Sequence, residues 1–204
     1  MVRKLVFVSE TNRLIAGLDE AGRGPLAGPV VAASVVLDPK QPILGISDSK
    51  KLSAKKRNTL LGAIFEQALS VGVGVVSHEQ IDKINILQAS LLAMKLAFED
   101  LKVLVQEAWV DGNQKAPLGP LVQQKIFVGG DGLHECIMAA SIVAKVHRDR
   151  MMVDYAVKYP EYGFDKHKGY GTKVHLEALN QWGPCAIHRK SFAPVAARIT
   201  HGNC

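Results

Sequence analysis

Residues 14–20, Leu-Ile-Ala-Gly-Leu-Asp-Glu, constrain this chain more than any other stretch: an apolar run ends in two adjacent carboxylates. Such a run reads as a buried strand. Seven residues, Ala-Gly-Arg-Gly-Pro-Leu-Ala, separate it from a second apolar run at 28–37. The glycines and the proline of that connection argue against a helix. Two strands joined so closely read as antiparallel neighbours. The acidic pair therefore stands at a strand end beside a glycine-rich turn, where two charges are expensive to leave unpaired.

The rest of the chain alternates strand-like and helix-like segments. Ser53 is placed to cap a helix running to about residue 69, with Leu60, Leu61, Ile64, Phe65 and Ala68 on one face. Residues 71–77 alternate valine with glycine and serine, a strand that permits close backbone approach. A long helix is expected over about 90–104, with 79–87 a separate turn before it. Residues 108–111 read as a short strand ending in Asp111, and 123–128 as another, closed by Gly129-Gly130-Asp131. Residues 133–159 are helix-permissive, with Ile137, Ala140, Ala144 and His147 near one face. A glycine-rich, basic, aromatic loop spans 162–172, and a short helix follows to about 181, ended by Gly183-Pro184. Interleaved strands and helices without a linker argue for one α/β domain over residues 1–204. A length of 204 residues suits one hydrophobic core.

The formal net charge of +6 is unevenly spread. Residues 1–144 carry 15 basic and 14 acidic side chains, whereas 145–204 carry 10 and 5. A basic C-terminal part attracts polyanions, although solubility alone also accounts for such charge. Cys136, Cys185 and Cys204 form no CxxC pair, which argues against a zinc knot and suits a reducing, cytoplasmic setting. The short apolar run at 5–8 is not a signal peptide. No run approaches the ~18 apolar residues of a membrane span.

Four acids stand at or just past strand ends: Asp19, Glu20, Asp111 and Asp131. Strand ends of α/β sheets are where distant positions meet in a site. Clustered carboxylates repel unless a cation holds them, and oxygen-only ligands suit Mg2+ or Mn2+ rather than zinc. Two such ions hydrolyse phosphodiesters with neither a histidine base nor a covalent nucleophile. Taken singly, each acid also reads as a turn residue or helix cap. Gly22, Arg23 and Gly24 follow the acidic pair, and such a turn lets the backbone approach a phosphate or a sugar. It reads equally as a plain tight turn with a solvated arginine. The segment His167-Lys168-Gly169-Tyr170-Gly171-Thr172 offers an aromatic face beside a cation, or simply a structural turn. Lys145, Arg148 and Arg150 form a basic helical stretch that also reads as a solvated face. There is no P-loop, no dinucleotide fingerprint and no GxSxG elbow.

Taken together these stretches resemble the type 2 ribonuclease H family, ribonuclease HII. The resemblance is carried by Gly17-Leu18-Asp19-Glu20-Ala21-Gly22-Arg23-Gly24-Pro25, Asp48-Ser49-Lys50-Lys51-Leu52, Ile81-Asp82 with Asn85-Ile86, and Val110-Asp111-Gly112. It continues through Gly130-Asp131, Ala139 to Lys145, Arg148-Asp149-Arg150, Tyr162-Gly163, His167-Lys168-Gly169-Tyr170 and Arg189-Lys190-Ser191-Phe192, covering about 14–195.

The resemblance implies a ribonuclease H-like mixed five-stranded sheet flanked by helices. Its first three strands would run antiparallel, two later parallel strands would extend it, and a basic helical part would cover about 145–204. It implies Asp19, Glu20, Asp111 and Asp131 as ligands of Mn2+ or Mg2+, with Asp19 and Asp111 central. Gly22, Arg23 and Gly24 would recognise the 2′-hydroxyl, the chemical mark of a ribose. Tyr170 would pack on the deoxyribose to its 3′ side. Lys50, Lys51, Lys145, Lys168 and Arg189 would contact the nucleic-acid backbone, positioning rather than specifying. The implied substrates are RNA–DNA hybrids and duplex DNA with embedded ribonucleotides, cut 5′ to the ribonucleotide to leave 3′-hydroxyl and 5′-phosphate ends. No required protein partner and no membrane are implied, and a monomer is expected. The family often carries lysine where this chain has Gly129. The type 3 relatives carry an additional N-terminal domain, and this chain reads as type 2. A non-catalytic nucleic-acid-binding module of the same fold is the alternative; an intact set of four acids argues against it. A metal phosphatase or a nuclease of other specificity would lack the Gly-Arg-Gly segment and Tyr170.

Overall fold

Strands β1 (Ile15–Ala21) and β2 (Val30–Val36) pair antiparallel, with Asp19 opposite Ala33 and Ala21 opposite Val31. The computed structural model describes residues 13–46 and 53–199. Helix α1 (Ala54–Gln67) leads to β3 (Ser70–Val76), which pairs antiparallel with β2. Helix α2 (His78–Glu99) is followed by β4 (Glu107–Asp111) and β5 (Gln123–Phe127), joined parallel to β1 and to each other. The five-stranded sheet has the order β3-β2-β1-β4-β5. The mixed sheet implied by the resemblance is therefore the one observed.

Every residue of β2 is buried because both faces of the sheet are covered. One face, through Leu18, Val30, Ala32 and Val110, packs on Ile81, Ala93 and Ala97 of α2. The other, through Ala33 and Val35, packs on α1 and on α3 (Glu135–Lys158) through Ile64, Ile142 and Val143. Glycines set the spacing. A Cβ on Gly17 would lie 2.1 Å from the Cys136 carbonyl carbon of α3, so the helix backbone rests directly on β1. A third cluster, Ala27, Met152, Tyr162, Phe164, Ala178 and Ile187, ties the C-terminal helices to the turn after β1. These helices are α4 (Phe164–His167) and α5 (Lys173–Trp182), while α6 (Ala193–Ile199) packs through Val195 on Leu26 and Leu179.

Four local expectations change. Helix α2 stops at Glu99 rather than 104, where the Asp100 carboxylate takes the Val73 amide and the Lys102 ammonium. Its first turns are helical too, set off by Asn85 at φ 64, whose side-chain oxygen caps the next turn through the Gln88 amide. Phe65 does not join the buried face of α1; it is half exposed and packs against the His147 ring at 6.0 Å. The 162–172 loop contains the single turn α4, whereas α6 lies within the helical C-terminal part that the resemblance implies. Among the described residues no helix is long and apolar enough to cross a membrane.

Candidate active site

The parallel pairing of Leu18 with Val110 sets Asp19 and Asp111 next to one another at the C-terminal ends of β1 and β4. Beyond β5, Gly129 adopts a left-handed φ of 73 and starts the tight turn Gly130–Gly132 that carries Asp131. A Cβ at Gly129 would meet nothing within 4 Å, so only the left-handed backbone, not space, favours glycine there. The Gly130 amide donates to Asp111 Oδ1 at 2.7 Å, fixing the Asp131 turn to the end of β4.

Asp19 is 6% exposed. Its carboxylate accepts the Glu20 amide at 2.7 Å and the Ser141 hydroxyl of α3. Burial raises its pKa well above the ordinary carboxylate range, and the charges of Glu20 and Asp111 push the same way. Burial also raises Glu20; the Arg23 guanidinium, 3.2 Å from Glu20 Oε1, opposes that rise and Asp111 adds to it. Asp19, Glu20 and Asp111 thus share one field, with Arg23 as the nearby cation. Among the described residues no three His, Cys, Asp or Glu side chains already form a metal cage. The donor chemistry nevertheless fits a hard divalent ion: oxygen-only, desolvated and mutually repelling.

The turn after β1 is held from beneath by two buried arginines. Arg148 of α3 donates to the carbonyls of Pro29 (2.9 Å), Lys168 (3.0 Å) and Ala27 (3.1 Å). Arg189 donates to Gly28 (2.9 Å), Arg23 (2.9 Å), Gly22 (2.6 Å) and Pro29 (3.1 Å). Burial lowers their pKa values to about 10 and about 9. Arg189 is therefore not a surface contact for nucleic acid as expected: it is fully buried with its guanidinium spent on the loop. Nor does Arg148 belong to a solvated face, being 1% exposed. Gly22, at φ 102, is required here, because a Cβ would lie 2.0 Å from Arg148 Nε.

These bonds orient the loop. The peptides are trans, so each amide N–H points opposite to the carbonyl of its own peptide unit. With the Gly22 and Arg23 carbonyls turned in to Arg189, the amides of Arg23 and Gly24 point away from it. Across from them stands Tyr170, 44% exposed, with Cε1 3.5 Å from where a Gly24 Cβ would be. Lys145 Nζ lies 6.0 Å from the Tyr170 ring centre and bonds Asp149 at 2.8 Å. The Lys168 ammonium bonds the Asp165 carbonyl. Lys50 and Lys51 lie outside the described residues. Beside Lys145 and Lys168 opens a groove of about 560 Å³ that also takes in Arg57, Arg150 and Lys166, with Asp149 and Asp154 on its wall.

Helix α3 links both halves. Ser141, Lys145, Arg148 and Met152 recur at helical spacing of four, three and four, one face of the helix. They reach Asp19, the Tyr170 ring, the loop carbonyls and the space beneath Gly28 in turn. The sequence expectation for α3 picks out its apolar face and the Lys145, Arg148 and Arg150 stretch, but does not join Ser141 and Met152 to Lys145 and Arg148 as one face. The signal that could have found it is the placing of Ser141 and Arg148 two turns apart, in line with Met152.

Comparison with known proteins gives concordant findings. A family model described as Ribonuclease HII matches residues 16–195. A ribonuclease HII from Burkholderia mallei is 56% identical over 184 residues, covering 90% of this chain and 85% of that one. Another from Burkholderia lata is 54% identical over 191 residues, covering 94% and 88%. The crystal structure of ribonuclease H2 from Pyrococcus horikoshii superposes with a TM-score of 0.77 at 27% identity, covering 92% of this chain and 97% of that one.

Proposed function

We infer what this site does from one premise: the chain belongs to the ribonuclease HII family and is a divalent-metal-dependent nuclease of RNA–DNA hybrids. On that premise Asp19, Glu20, Asp111 and Asp131 hold Mg2+ or Mn2+, with Asp19 and Asp111 central. Ions bound there supply the Lewis acidity for phosphodiester hydrolysis. The chain's own residues do the rest. Ser141 and the Glu20 amide orient the Asp19 carboxylate. Glu20 and Asp131 complete the oxygen set and orient water.

Recognition of the sugar falls to the clamped loop. The observation that carries this reading is the outward direction of the Arg23 and Gly24 amides opposite Tyr170. Donors fixed in that way suit a 2′-hydroxyl, which DNA lacks. Arg23, half exposed beside Glu20, adds a guanidinium for the adjoining phosphate. Tyr170 packs on the deoxyribose to the 3′ side, and Lys145 and Lys168 meet the backbone. The substrate then includes duplex DNA with a single embedded ribonucleotide, cut on its 5′ side to leave 3′-hydroxyl and 5′-phosphate ends. The enzyme acts as a monomer in the cytoplasm, a setting to which the free thiols of Cys136 and Cys185 are suited. The test is cleavage of a duplex with one embedded ribonucleotide, run with each metal and with the ends mapped. Cutting only in continuous hybrids, or on the 3′ side, would overturn it.

A further inference from the structure

Behind Tyr170 lies a buried row of imidazoles that the reaction itself does not use. His175 and His188 are fully buried, with their Nε2 atoms 3.1 Å apart. The neighbouring backbone fixes which nitrogens carry protons. The Cys185 amide donates to His188 Nδ1 at 3.0 Å, so that atom is an acceptor. Burial, with His175 next in effect, lowers the His188 pKa to about 4, so the ring is neutral and its proton sits on Nε2. His188 Nε2–H then donates to His175 Nε2. Burial lowers the His175 pKa as well, so its single proton sits on Nδ1, which donates to the Tyr170 carbonyl at 2.9 Å. Every proton in the row points the same way, from Cys185 to Tyr170.

The surroundings hold these rings in place. His167 stacks on His175 at 4.6 Å; its Nδ1 accepts the Gly169 amide, and its Nε2 donates to the Tyr162 carbonyl at 2.7 Å. Phe164 meets His175 edge-on at 5.4 Å. The Tyr170 amide donates to the His167 carbonyl at 2.9 Å. One residue earlier, the Gly169 carbonyl takes the Leu26 amide of the clamped loop at 2.8 Å.

We propose that His175 and His188 are positioning residues that set the Tyr170 ring opposite the Gly22–Gly24 loop, and so govern which sugar is accepted on the 3′ side of the cut. The proposal rests on the reading of Tyr170 as the sugar contact. Asparagine can place its amide donor near the position of Nδ1, whereas glutamine reaches only the position of Nε2. H175N therefore keeps the bond to Tyr170, and H175Q loses it.

The experiment compares cleavage of a single-ribonucleotide duplex with that of a continuous RNA–DNA hybrid, for wild type, H175N, H175Q and Y170A. The expected result is a loss of the substrate ratio of roughly tenfold in H175Q, most of it restored in H175N. Equal ratios in H175Q and wild type, with Y170A altered, would overturn the proposal alone. An unaltered ratio in Y170A would overturn the reading of Tyr170 beneath it. Nitrogen-15 NMR of wild-type histidines gives a second readout that needs no variant to fold. Nδ1–H on His175 with Nε2–H on His188 is expected, and the reverse pair would overturn the proposal.

Discussion

This fold buries like charges in two places and treats them in opposite ways. At the sheet end, Asp19, Glu20 and Asp111 raise one another's cost, and part of that cost stays uncompensated. Beneath the loop, Arg148 and Arg189 lie close enough for Arg148 to lower the Arg189 pKa, yet together they make seven hydrogen bonds to six carbonyls. Buried charge is tolerated when its hydrogen-bonding capacity is met. The arginine cluster is complete as folded, whereas the acid cluster has, among the described residues, only the Arg23 cation beside it, in keeping with the proposed metal site. Charge of one sign serves architecture; charge of the other, on the proposed reading, is left for chemistry.

Variants can break that contrast. The largest effect is expected from Asp19→Asn, which removes a charge from the unsatisfied cluster. Turnover should fall by about three orders of magnitude. Thermal stability should hold or rise, because the lost charge was a repelling one. Near-normal turnover in a steady-state assay would remove Asp19 from the chemistry.

Arg189→Met acts on the complete cluster and should do the reverse. It strands the carbonyls of Gly22, Arg23 and Gly28, while Pro29 keeps its bond from Arg148, at a cost of about 3–5 kcal/mol in denaturant unfolding. A loss under about 1 kcal/mol would mean that water replaces the guanidinium readily.

Acid should loosen the same side of the molecule. Unfolded His188 takes a proton near pH 6.5, whereas the folded ring resists until about pH 4. Unfolding therefore takes up a proton in that window. Stability is whole above pH 6.5 and falls by up to about 3 kcal/mol towards pH 4. Chemical denaturation across that range checks it; a flat profile would contradict the neutral row.

The smallest effect on folding is expected from Gly24→Ala. Its Cβ would make ordinary contact with Tyr170 at 3.5 Å, so stability should move by less than about 0.5 kcal/mol. Cleavage at a single ribonucleotide should nevertheless fall roughly tenfold, because the methyl group occupies the gap in which a sugar would lie.

The sequence made the acid end legible and left the arginine end obscure, for a physical reason. Asp19 and Asp111 each close an apolar strand, and parallel pairing of such strands aligns their ends. That information is local. Arg189 looks like any cation in a basic tail, and only the fold sets it 166 residues along the chain from the Arg23 carbonyl it holds. Helix α1 shows the same limit, since helical spacing put Phe65 on the buried face but could not say how wide that face is. The termination of α2 at Glu99 depends on Asp100 meeting the β3 backbone, a contact that no window of sequence contains. The imidazole row is hidden for the same reason, because His175 and His188 meet only once α5 has folded back on the tail.

One more consequence follows from the face of α3 that carries Ser141 and Arg148. Those two residues are separated by about 10.5 Å of helix rise, two turns at 1.5 Å per residue. On the proposed reading, one steadies the cutting end and the other the loop that would feel for a ribose. The gap between them is a gauge cut into a single rod, not a span across a hinge. Inserting or deleting one residue between them would swing one end round by about 100°. If the strand is felt and cut at the two places proposed, the offset between them is as stiff as the helix itself.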